Sequence, residues 1–103
     1  MDILHVNEES FDKAIQNGTV IADFWAPWCG PCRAVAPTVS EIAHERGESL
    51  KVCRVNIDDE PGLAAQARVM SIPTLVVMRD GKEAGRLIGA HPKENIDELI
   101  DRA

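Results

Sequence analysis

The run Val20-Ile21-Ala22-Asp23-Phe24-Trp25-Ala26-Pro27-Trp28-Cys29-Gly30-Pro31-Cys32 joins a strand signal to a helix start. Val20 to Trp25 is almost unbrokenly apolar and rich in β-branched and aromatic residues, the pattern of a strand covered on both faces. Trp28 to Cys32 makes a turn that opens a helix. In that helix Val35, Val39, Ile42 and Ala43 recur at helical spacing, and Gly47 closes it. Pro37 lies inside and is expected to kink it.

The flanking sequence supplies the rest of an alternating α/β chain. Ile3 to Val6 reads as a short strand, and Asn7 caps a helix with Phe11, Ala14 and Ile15 on one face, ended at Asn17-Gly18. Leu50 to Ile57 is a third strand. Asp58 to Pro61 looks like a solvated helix start, followed by Leu63, Ala64 and Ala67 on a small buried face. Thr74 to Met78 is a fourth strand, and Asp80-Gly81 turns it into a fifth, Glu83 to Ile88, whose Gly85 and charges suit a sheet edge. A last helix runs from about Pro92 to Arg102 with Ile96, Leu99 and Ile100 inward. The middle strand–helix–strand is expected to be parallel and right-handed, and the final hairpin antiparallel. A mixed sheet with helices on both faces follows, an α/β sandwich.

The chain has 103 residues, room for one domain over 1–103, and a formal net charge of −6. That balance repels nucleic acid and anionic membranes, so neither is an expected partner. No apolar stretch reaches the roughly 20 residues that span a bilayer. Met1 to Ser10 lacks a basic-then-apolar pattern, so no signal peptide is expected and a reducing cytoplasm is the default compartment. There a close cysteine pair is more often catalytic or metal-binding than structural.

Cys29 sits where free N–H groups and the helix dipole favour an anion, and the thiolate is the reactive form of cysteine. It is the expected attacking thiol. Cys32, one turn further in and more buried, is the expected resolving thiol that releases a mixed disulfide. Gly30 and Pro31 hold the turn stiffly. A zinc half-site would need a second pair, and His5, His44 and His91 are not at ligand spacing, so no metal is expected. Cys53, on a central strand, reads as a small buried apolar residue. Asp23 stands alone among apolar residues, and burial is expected to raise its pKa.

These features resemble the thioredoxin family, in its bacterial single-domain form, over essentially the whole length. Asp23 to Cys32 is very similar to the family's active-site segment, and Pro37, Val55 to Asp58, Ile72-Pro73-Thr74 and Gly89-Ala90 match other landmarks in order. The resemblance implies a mixed sheet of about five strands between about four helices. It implies a protein-disulfide reductase, monomeric, with no bound cofactor. Electrons would come from NADPH through a flavin-containing thioredoxin reductase and pass to disulfide-containing client proteins. It gives Asp23 the role of proton acceptor and donor for Cys32. Ile72-Pro73 matches a cis-proline loop, and Trp28, Ile72, Pro73, Gly89 and Ala90 would form an apolar client-docking surface. Arg54 departs from the lysine common at its position. It shares a strand face with Val52 and Asn56 and is expected near Asp23, favouring the ionised carboxyl because arginine keeps its proton. Pro27, where some relatives carry glutamate, removes an N–H before the turn. The other readings are an exported oxidant, disfavoured by the absent signal pattern and by Gly30-Pro31, and a redox-independent binding or scaffold module.

Overall fold

The apolar run forms β2 (Thr19–Trp25) and lies at the centre of the sheet. The computed structural model describes residues 3–103. In chain order the other elements are β1 (Ile3–His5), α1 (Glu8–Ile15), α2 (Gly30–Arg46), a short 3-10 turn at Gly47–Ser49, and β3 (Lys51–Asn56). They continue with α3 (Pro61–Gln66), β4 (Thr74–Arg79), β5 (Lys82–Ile88) and α4 (Lys93–Arg102). The sheet order is β1-β3-β2-β4-β5. β1 and β2 both run parallel to β3, β4 runs antiparallel to β2, and the hairpin β4–β5 is antiparallel within itself. This is the thioredoxin fold expected from the sequence, with β5 at one edge.

Local chemistry sets the element ends. The Asn7 side chain accepts from the Ser10 N–H while the Ser10 hydroxyl accepts from the Asn7 N–H, so two orphan donors of α1 are satisfied. Asp80 and Gly81 both have positive φ, as a tight hairpin turn between twisted strands requires. α2 continues through Pro37 to Arg46 as one helix, so the proline does not end it.

Alternation along the strands divides the core in two. Ile21, Val52, Leu75 and Val77 face α2 and α4 and pack with Val39, Ile42, Ile96 and Leu99. Val20, Ala22, Phe24, Cys53 and Val55 face the other way, against Phe11, Ile15 and Leu63 of α1 and α3. Charges tie α2 to α4: Arg46 reaches Asp97 at 3.0 Å and Asp101 at 2.9 Å, and Lys93 reaches Glu45 and Asp97 at 2.9 and 2.8 Å. These pairs hold the C-terminal end of α2 against α4, and the N-terminus of the helix carries the cysteine turn beyond the carboxyl end of β2.

Candidate functional site

Cys29 is the N-cap of α2, and its side chain is joined to Cys32 in a disulfide with Cα atoms 5.3 Å apart. The Cys32 N–H donates to the Cys29 sulfur at 3.1 Å. The sulfur therefore sits among the free amides at the positive end of a 17-residue helix, where negative charge is stabilised. Cys32 is fully buried and Cys29 almost so. Gly30 and Pro31 form the exposed first turn of α2. A side chain at Gly30 would meet open space, so the glycine leaves the turn uncovered from above.

The docking residues come together from separate parts of the chain. Ile72 packs on Ala26 and the two cysteines, and the Ile72-Pro73 peptide bond is cis. The Gly89 N–H donates to the Pro73 carbonyl at 2.8 Å, which brings the end of β5 against the start of β4; exposed Ala90 follows. Trp28 is 65% exposed and overhangs a groove of about 310 Å³ lined by Ile57, Val69, Met70, Ser71 and Ile72.

Two contacts at this rim have no counterpart in the sequence reading. The indole N–H of Trp28 donates to the Asp58 carboxylate at 3.0 Å, and the Arg33 guanidinium donates to the Pro27 carbonyl at 2.8 Å. The first corrects the view of Asp58 to Glu60 as a plain helix cap: Glu60 is the N-cap residue of α3 but its side chain makes no capping bond, and Asp58 holds the active-site tryptophan. Met70, 93% exposed beside Trp28, was likewise not singled out. Neither had a local signal, because each is defined by a neighbour far away in sequence.

Behind the cysteines, Asp23 is 1% exposed on β2. It pairs in register with Arg54 of β3, whose Nε stands 3.4 Å from Asp23 Oδ2. That is ion-pair distance, but the alignment makes no hydrogen bond, and both Asp23 oxygens and Arg54 Nε lack one among the described residues. Burial pushes the Asp23 pKa up from 3.8 to about 6, and the Arg54 charge opposes part of that rise. The guanidinium also lies over the Trp25 ring, 4.1 Å from its centroid. Trp25 is on the face opposite Phe24 and is only half-buried, under Arg54. Cys53 is buried on the far face of the sheet, and desolvation raises its thiol to about 11, far from a reactive thiolate. Among the described residues, no group of three His, Cys, Asp or Glu side chains is placed to hold a metal ion.

Two thiols that close a disulfide at the mouth of a mixed sheet exchange electrons by exchanging that bond, which defines the class: a thiol–disulfide oxidoreductase. A family model described as Thioredoxin matches residues 2–102. A thioredoxin of Listeria monocytogenes is 43% identical over 100 residues, covering 97% of each chain. One from Staphylococcus haemolyticus is 41% identical over 102 residues, covering 99% of this chain and 98% of its own. A solved mutant thioredoxin from Halobacterium salinarum superposes with a TM-score of 0.90 at 30% identity, over 97% of this chain and 88% of that one. The chain belongs to the thioredoxin family and is a dithiol–disulfide redox carrier. No helix among the described residues is long and apolar enough to cross a membrane.

Proposed function

We propose that this single domain, acting as a monomer in the cytoplasm, reduces protein disulfides through Cys29 as nucleophile. The observation that carries the assignment is the Cys29 sulfur at the N-cap of α2, accepting the Cys32 N–H, with Cys32 sealed behind it. The Cys29 thiolate attacks one client sulfur and expels the other, forming a mixed disulfide. The Cys32 thiol loses its proton to Asp23 through a bridging water. It then attacks Cys29, releasing the reduced client and closing the Cys29–Cys32 bond. With its pKa near neutrality, Asp23 is able both to take that proton and to return it. Arg54 tunes the carboxyl, and Gly30 and Pro31 set the turn.

An extended client segment docks across Trp28, Ile72, Pro73, Gly89 and Ala90, pairing its backbone at Ile72 in the manner of an added strand. Re-reduction comes from an NADPH-dependent, flavin-containing thioredoxin reductase, and the domain itself carries no cofactor. Dithiothreitol-driven reduction of insulin tests the assignment. Cys29→Ser abolishes it, and Cys32→Ser accumulates the mixed disulfide. Insulin reduction by Cys29→Ser at the wild-type rate would overturn Cys29 as the nucleophile, and a partner-dependent function unchanged in Cys29→Ser would favour a binding module instead.

A further inference from the structure

Asp23 presents two carboxylate oxygens with no hydrogen-bond partner among the described residues, although the residue is 1% exposed. Buried polar atoms in that position require donors, and water supplies them wherever there is room. The room lies on the β1 side. A cavity of about 210 Å³ between the sheet and α2 is lined by Asp23, Arg54, His5 and Ser40 among apolar side chains. At roughly 30 Å³ per molecule that is space for a short chain of waters, and the four side chains supply polar partners.

The sheet register sets the direction. His5 pairs with Arg54, and Arg54 with Asp23, so the three stand in one row on one face. Strands lie about 4.8 Å apart, so His5 is roughly 10 Å from Asp23, too far for direct transfer but spanned by two or three waters. His5 is exposed and also lines a second cavity of about 240 Å³ with Trp25, Arg54, Asn7, Asn56, Asp59 and Glu60. It thus stands between the inner cavity and the outer surface.

We propose that His5 is a positioning residue for proton exchange, relaying the proton of Asp23 to bulk water along the β1 side of the sheet. When the Cys32 proton has passed to Asp23, the carboxyl donates it to a cavity water. That water passes one of its own protons to the His5 imidazole, and the imidazolium releases it outside. Re-reduction runs the same steps backwards, and no electrons move. Imidazole suits the task because one ring nitrogen can accept a proton from one side while the other releases a proton to the opposite side. The groups facing the route are Asp23 from β2, Arg54 from β3, Asp59 and Glu60 from the segment after β3, Asn7 before α1, and only the Ser40 hydroxyl from α2. Arg54 keeps its charge throughout, so it steers the route without carrying the proton.

The route rests on Asp23 being the proton acceptor for Cys32, and the test separates the two claims. Single-turnover resolution of a preformed mixed disulfide is followed against pH in dilute, non-nucleophilic buffer. His5→Gln and His5→Ala are each expected to slow it about threefold to tenfold, a fraction of what direct acid–base catalysis contributes. Added imidazole restores His5→Ala, the reduction potential against glutathione is unchanged, and His5→Ala has no further effect in an Asp23→Ala background. Wild-type pH profiles in both His5 variants would overturn the route, as would a loss that imidazole does not restore. If Asp23→Ala itself follows the wild-type profile, the Asp23 reading fails and the route with it. If Asp23→Ala is slow while the His5 variants are not, only the route is lost.

Discussion

Asp23 is ionised against its surroundings at neutral pH, and that has a sign. Its pKa is about 6 in the fold and 3.8 in a solvated chain, so the folded state binds the extra proton between those values. Its favourable contribution is complete below about pH 4 and is lost as pH rises through about 6. Above that, the ionised carboxyl holds the fold about 3 kcal/mol below what a residue of ordinary pKa would allow. Asp23→Ala is therefore expected to raise urea stability at pH 8 by about 1–3 kcal/mol, the gain being reduced by the small cavity left, and to give no gain at pH 4. Arg54 opposes part of the rise at 3.4 Å while its guanidinium covers Trp25. A lysine there loses the planar stack on the indole and brings a charge that burial can remove. Arg54→Lys is expected to move the Asp23 titration upward, read from the carboxyl C=O stretch against pH. An unmoved titration would mean the two groups are uncoupled.

At the scale of the element, helix ends are decided by a few bonds. The capping box at Asn7 and Ser10 starts α1, which then buries only Phe11 and Ile15. Asn7→Ala is expected to cost about 1 kcal/mol in thermal or urea unfolding, whereas Asn7→Asp stays near wild type because the carboxylate accepts the same bond. That cap was legible in the sequence, as were the β2 run, the Asp80-Gly81 turn and the cysteine pair at the head of α2. Each is stated by residues within one turn or one strand of each other. Asp58 was not legible in this way. Acids ahead of Pro61 satisfy every local rule for a helix start, yet Asp58 serves Trp28, 30 positions away. The row His5, Arg54, Asp23 was only half legible. Alternation puts Arg54 on one face with Val52 and Asn56, and the fold implied by the family resemblance sets that face near Asp23, but β1 joins the row through its register against β3, which long-range pairing decides and local periodicity does not.

At the scale of the whole molecule, the net charge of −6 acts at distances where contacts do not. The groove under Trp28 is apolar, so it discriminates little between client segments by charge once they dock. Approach is different. An acidic molecule concentrates basic partners around itself and repels acidic ones, and exposed Asp58, bonded to Trp28 at the groove, adds to that field. Screening shortens the field from about 10 Å at 0.1 M salt to about 3 Å at 1 M. Two disulfide peptides identical except for lysine or glutamate flanks are therefore expected to differ in second-order reduction rate by about tenfold at low salt. The gap should close as salt is raised, while the rate of resolution within the mixed disulfide stays the same for both. A difference that persists unchanged at 1 M salt would place the discrimination in direct contacts at the groove, because charge acting across solvent does not survive that screening.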